Sequence, residues 1–240
     1  MQLRFLSVLL MAAAILLSAG SAGQQTVLSQ TRGGSSGIGY AKTRVGRTRI
    51  LYPRLTRYRD ARVMREVNRQ IDAATKEFTA AGCSGKGSYF RVRSRVGYAD
   101  RDIFSIYASS QYWCGGPYPT NDDNISKTFD LRTGKLVEFS ELFRNYEADK
   151  QAILKTVFGA RIESAERIKA SGRDTDDNCD SPYTMDNLEG TTFNYNFSGA
   201  GLQIQPSWPH VIEACADIVT IPYSKLQRFA APDGILSRMK

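Results

Sequence analysis

Four cysteines bracket two stretches of alternating residues, and this arrangement restricts the fold more than any other feature of the chain. In residues 88–96 Phe90, Val92 and Val96 fall on one face of a strand, while Arg91, Arg93 and Arg95 fall on the other. Gly97-Tyr98-Ala99-Asp100 turns the chain into a partner strand at 103–113. Cys83 precedes the first strand by about as much as Cys114 follows the second, so an antiparallel hairpin brings both to its open end, within bridging reach. The pattern repeats further on. Residues 191–197 alternate Phe193, Tyr195 and Phe197, Ser198-Gly199-Ala200-Gly201 turns into 202–205, and Cys179 and Cys215 flank this second hairpin. The expected bridges are Cys83–Cys114 and Cys179–Cys215.

Paired cysteines belong in an oxidising compartment, and the N-terminus supplies the route. Residues 1–23 read as a signal peptide, with Arg4 as the positive n-region, an apolar run at 5–17, and Ser21-Ala22-Gly23 before Gln24. A spanning helix needs about 20 apolar residues, more than this run provides. The expectation is a periplasmic or secreted protein of the cell envelope, with no transmembrane anchor after signal cleavage.

Residues 24–48 read as a flexible basic leader, because TRGGSSGIG has the composition of a linker. A single domain is expected over 49–240. Pro53 suits an edge strand at 49–58, and Asp60 suits the N-cap of a helix over 61–81 ended by Gly82. Val63, Val67, Ile71, Ala74 and Phe78 recur on one face of that helix. A strand at 125–131, a tight turn at 132–135 and a short helix capped by Ser140 lead to a second amphipathic helix at about 147–169. Its core side is Ile153, Leu154, Val157, Phe158, Ile162, Ala165 and Ile168. A last strand at 217–223, a short helix from Ser224 and a loose tail at 230–240 complete the chain. The fold class is α+β: mainly an antiparallel sheet of hairpins, with two amphipathic helices packed on one face.

The formal net charge is +8, and it is concentrated. Between Arg32 and Arg69 eleven Lys/Arg stand against Asp60 and Glu66 alone. Arg54, Arg57, Arg59, Arg62 and Arg65 form the expected basic surface. In an exported protein such a surface suits anionic envelope polymers or headgroups, not nucleic acid.

Chemistry is thinly represented. The one histidine, His210, excludes multi-histidine zinc sites. Ser207, His210 and Glu213 lie too close in sequence to converge on a reacting atom, so His210 reads as structural. Asp100 with Asp102, and Asp122 with Asp123, offer carboxylates for glycoside hydrolysis, which needs a pair across a sugar-sized cleft; turn aspartates more often serve the turn itself. Asp174, Asp176, Asn178 and Asp180 open like a calcium loop, but Cys179 stands where glycine is required and Met185 where the bidentate glutamate belongs. No metal, cofactor or catalytic residue is therefore assigned. Tyr112, Trp113 and Tyr118, on a glycine-rich loop beside Cys114, are the candidate ligand-binding residues, able to stack on a sugar or anchor a protein.

The motifs YPRL, VNRQID, DIFSIYASSQYWCGGPYP, FDLRTGKLVEFSELF and VTIPYSKL, in this order, resemble the domain of unknown function families 3298 and 4163. Related regions form the extracytoplasmic part of RsiV-type lysozyme-sensing anti-sigma factors and the N-terminal region of PdaC-type peptidoglycan deacetylases. The similarity spans about residues 49–229. A signal peptide stands where the anti-sigma factors have a sigma-binding segment and membrane helix, and one histidine cannot supply the deacetylases' metal site. The resemblance thus implies a non-catalytic binding module of the bacterial envelope. Its ligand would be peptidoglycan-related or a peptidoglycan-acting protein such as lysozyme. A carboxylate-based carbohydrate hydrolase, and a purely structural periplasmic protein, are the alternatives.

Overall fold

The computed structural model describes residues 37–80, 87–115, 121–172 and 179–239, apart from the side chains at 77–80, 121–123 and 210–211. Strand β1 (Gly39–Arg44) pairs with β2 (Leu51–Arg57), and helix α1 (Ala61–Ala80) follows. β3 (Tyr89–Ala99) and β4 (Ile103–Trp113) form the long hairpin; β5 (Asn121–Asn124) and β6 (Lys127–Asp130) both pair with β4, and β7 (Lys135–Leu136) with β6. Next come α2 (Tyr146–Ser171), α3 (Met185–Glu189), β8 (Phe193–Ser198), β9 (Gly201–Pro206), β10 (Val219–Ile221) and α4 (Tyr223–Leu226). The strands make three antiparallel sheets: β1-β2, β3-β4-β6-β7 with β5 beside β4, and β10-β9-β8. The class is α+β with hairpin sheets and two long helices, as the alternation and helical spacing predict.

The alternation of β4 divides the interior in two. Phe104, Ile106 and Ala108 point into one core with Tyr52 and Leu55 of β2, Val67 and Ile71 of α1, and Phe129. Ile103 points into the other, with Leu154 and Phe158 of α2, Phe197, Leu202 and Ile204 of the third sheet, and Leu226 of α4. The two long helices lie in different cores, α1 in the first against β2 and β7, and α2 in the second beside β10 of the third sheet. Where β8 crosses β4, the backbone N–H of Phe197 donates to Ser105 Oγ at 2.9 Å, and Ser105 Oγ lies 2.7 Å from Thr128 Oγ1.

Polar residues in the sequence motifs act as latches. Asn68 accepts from Leu55 N at 3.0 Å and donates to Leu55 O at 2.9 Å, tying α1 to β2. Gln70 donates to Gly134 O at 2.7 Å and accepts from Leu136 N at 3.2 Å, tying α1 to the β6–β7 turn. Tyr223 stacks on Phe197, accepts from Ser198 N at 3.1 Å and donates to Ser198 O at 2.6 Å. Each latch satisfies backbone groups that would otherwise be stranded at a strand or turn end.

Several expectations need correction. Part of the span read as leader is structured: β1 lies at 39–44, its Tyr40 ring is 5.9 Å from Phe104, and Ile38 is buried. The tail is packed, not loose. Ile235, Leu236 and Met239 are buried, Ala231 N donates to Leu142 O at 3.0 Å, and Gln227 Nε2 donates to Leu236 O and Met239 O at 3.0 and 2.6 Å. The short helix at Phe139–Leu142 is a 3-10 turn entered from Glu138, whose N–H donates to Glu141 Oε2 at 2.8 Å, so Ser140 is not its cap. β3 runs through Gly97 to Ala99, with a register shift between Val96 and Tyr98. The bridge Cys179–Cys215 is present, with Cα atoms 4.8 Å apart. Cys114 is disulfide-bonded as well; Cys83, its expected partner, lies outside the described residues, as does Gly82.

Candidate functional site

The first half of α1 carries a concentrated basic surface beside a cleft. Asp60 starts the helix, its Oδ1 accepting from Arg62 N at 2.8 Å and Val63 N at 3.2 Å. Arg62, Arg65 and Arg69, three and four residues apart, then share one exposed stripe. Opposite the stripe stands the turn between β6 and β7. Asp130 O accepts from Gly134 N at 2.7 Å, and Gly134 takes φ +78°, a left-handed conformation that glycine adopts without strain. The Gln70 latch holds this turn against the helix. Between them opens a cleft of about 560 Å³, lined by Arg62, Arg65, Arg69 and Arg132 together with Asp60 and Glu66.

Its charges are unequally free. Arg69 grips Glu66 through Nε at 2.8 Å and Nη2 at 2.6 Å. That hydrogen-bonded guanidinium holds the Glu66 carboxyl below the usual carboxylate range, and Arg69 is raised in return. Arg132 contacts Asp130 Oδ2 at 3.3 Å and donates to Asp233 O at 2.7 Å. Arg62 and Arg65 have no acidic partner among the described residues, and they give the cleft its excess positive charge. A guanidinium pair of this kind suits carboxylate or phosphate oxygens.

Of the five arginines expected to form the basic surface, only Arg62 and Arg65 meet in this cleft. Arg54 pairs with Asp72 at 2.5 Å. Arg57 is exposed at the end of β2, in register with Gly39. Arg59 lies over the Tyr58 ring at 5.7 Å and 3.6 Å from Asp102. Arg69 and Arg132 were not among the expected residues. The helical spacing 62, 65, 69 contains the signal for the first; nothing local ties Arg132, more than sixty residues on, to the same cleft.

The aromatic candidates do not form one platform. Tyr112 faces Phe90, ring centres 5.9 Å apart, while Trp113, the next residue on the strand, points to the opposite face. Its indole N–H is buried and meets no hydrogen-bond partner among the described residues. Tyr118 lies outside the described residues.

The turn carboxylates serve structure. Asp100 Oδ1 accepts from Asp102 N and Ile103 N at 2.8 and 2.7 Å. Asp102 lies within 3.5, 3.6 and 3.8 Å of Arg101, Arg59 and Arg238. Asp180 accepts from Ser164 Oγ at 2.6 Å and pairs with Arg161, which also pairs with Asp217. The side chains of Asp122, Asp123 and His210, and all of 173–178, lie outside the described residues. Among the described residues no group of three His, Cys, Asp or Glu side chains could hold a metal.

Fold and site together define an α+β protein of antiparallel hairpins with an arginine-lined cleft on its first helix. No protein-family model and no curated protein matches the chain. Among solved structures it is similar to a DUF3298 family protein from Pseudomonas aeruginosa PAO1, at 12% identity and a TM-score of 0.45, over 81% of this chain and 92% of that one. It is also similar to a member of the DUF3298 family from Bacteroides fragilis NCTC 9343, at 11% identity and a TM-score of 0.48, over 86% of this chain and 98% of that one. Both are members of a family that the sequence motifs resemble.

Proposed function

We propose that the chain is a non-catalytic binding module of the bacterial envelope, and that its α1 cleft holds anionic groups of a peptidoglycan-related polymer. The observation that carries this reading is the convergence of Arg62, Arg65, Arg69 and Arg132 on one cleft, two of them without an acidic partner among the described residues. Stem-peptide carboxylates are the matching chemistry. A cationic protein such as lysozyme would meet like charge there and pay for its approach.

Two features support the compartment. The Cys179–Cys215 bridge fits an oxidising environment, and the N-terminal residues read as an export signal. No helix among the described residues is long and apolar enough to cross a membrane. The reading is tested by co-sedimenting the chain from Gln24 onward with purified sacculi at low and at high ionic strength, beside immobilised lysozyme. Saturable retention on sacculi that weakens with salt is expected. Retention on lysozyme alone would overturn the choice of ligand.

A further inference from the structure

A second basic surface lies away from the cleft, on the outer face of the long hairpin. The register of β3 with β4 sets Arg91 opposite Gln111, Arg93 opposite Ser109 and Arg95 opposite Tyr107. Phe90, Val92 and Val96 face the α1 core, so alternation turns the three arginines outward, and all three are exposed. Two are held against rings: the Arg91 guanidinium lies 5.0 Å from the centre of Tyr89, and that of Arg95 4.6 Å from the centre of Tyr107. None of the three pairs with a carboxylate among the described residues. On β5, Asp122 stands in register with Gln111, one strand further from Arg91. β8 crosses this face near Gly97 and Ser105, at the other end of the hairpin.

Charge on an edge strand discourages sheet-to-sheet pairing, and scattered lysines would serve that purpose. Guanidinium groups set at a fixed pitch and steadied by aromatic rings match a repeating ligand instead. Alternate residues on a strand recur at about 6.8 Å. In a polymer of three-carbon polyol phosphates, six bonds separate successive phosphorus atoms. Six bonds also separate alternate Cα atoms of an extended chain, so both repeats are about 7 Å.

We infer that the Arg91-Arg93-Arg95 strip docks a linear phosphodiester-linked polyol polymer, one phosphate to each guanidinium. The fork of each arginine meets two phosphate oxygens at once, and Gln111 and Ser109 present polar groups to the polyol hydroxyls from the neighbouring strand. An acidic peptide can carry the same pitch, but it would be captured on the strand's backbone edge. β2 packs on the inner face of β3, with Ser94 Oγ donating to Leu51 O at 2.7 Å, so the outer strip is left to the guanidinium groups.

Calorimetric titration of the full chain with poly(glycerol phosphate) tests the inference, with glycerol 3-phosphate, phosphatidylglycerol vesicles and poly-L-glutamate as separate arms. The polymer is expected to bind, with Arg93→Ala weakening it about tenfold and each arginine removed lowering the salt dependence by about one phosphate contact. In an Arg62→Glu/Arg65→Glu background, where the cleft no longer offers positive charge, Arg93→Ala is expected to weaken the polymer by the same factor, which keeps the strip distinguishable from the cleft. Undiminished binding by a folded Arg91→Ala/Arg93→Ala/Arg95→Ala variant would overturn the inference. So would equal affinity for the monomer, the vesicles or poly-L-glutamate, or loss of polymer binding in the cleft variant alone.

Discussion

Arg238 Nη2 donates to Asp130 Oδ2 at 2.9 Å, joining residues 108 positions apart. The contact closes the C-terminal segment onto the β6–β7 turn, next to the cleft. Asp130 is also organised locally, accepting from Arg132 N at 2.8 Å. The side chains of Arg238 and Asp130 are only 21% and 12% exposed, so this pair is screened less than a surface bridge.

Arg238→Ala should therefore lower the unfolding free energy by about 1–3 kcal/mol, the range for losing a hydrogen bond between charged groups and leaving the carboxylate short of a partner. Urea denaturation measures this. A variant with an unchanged midpoint would show the tail to be docked by its other contacts, the buried Ile235, Leu236 and Met239 and the Gln227 hydrogen bonds, without help from this pair.

Gly97 marks a close approach of the central and third sheets. A Cβ there would lie 2.5 Å from Phe197 O and 2.8 Å from Asn196 Nδ2. The first obstacle is backbone, so Gly97→Ala should cost about 1–3 kcal/mol by overpacking. An unaffected thermal midpoint would mean that the sheets do not meet at this spacing.

The Ser164 hydroxyl first, and the Arg161 guanidinium second, hold the Asp180 carboxyl below its ordinary 3.8. A carboxyl whose pKa is lower folded than unfolded stabilises the fold above the unfolded value, and that contribution is lost as pH falls through the folded one. Stability should accordingly decline as pH drops below about 4. Asp180→Asn should be less stable at neutral pH and should show a shallower acid decline. Parallel pH profiles for the two proteins would contradict the assignment.

The Cys179–Cys215 bridge closes a separation of 36 residues. Loop entropy puts its contribution near 4 kcal/mol, so Cys179→Ser/Cys215→Ser should unfold at markedly lower denaturant. Arg161 joins both flanks independently, through Asp180 and Asp217, and Tyr183 OH donates to Cys215 O at 2.9 Å. The variant should thus remain folded in the absence of denaturant, as near-ultraviolet circular dichroism would report. Equal stability with and without the bridge would contradict its role.

What could be read from the sequence was local. Alternation at 88–96 and 191–197, helical spacing through Val67, Ile71, Leu154 and Phe158, and cysteines flanking a hairpin are patterns a short window contains. The strand at 39–44 was hidden because Tyr40 and Ala41 sit among glycines and charges, and only pairing with β2 makes them a strand. The tail looked loose because Ile235, Leu236 and Met239 follow no period; their burial depends on contacts with distant elements. Gly97 read as a turn residue, whereas it is needed for the passage of β8. The same limit applies to the site. Arg62 and Arg65 announce themselves by composition, but the cleft forms between α1 and the turn bearing Arg132, which Gln70 fastens to the helix from more than sixty residues away.

The most direct test of the binding-module account is retention of wild type and Arg62→Glu/Arg65→Glu on purified sacculi, with muropeptide release followed in the same tubes. The account predicts saturable retention of the wild type, no released fragments, and at least about tenfold weaker retention of the variant at an unchanged thermal midpoint, since two charge contacts are reversed. Released muropeptides, or full retention by the folded variant, would contradict it.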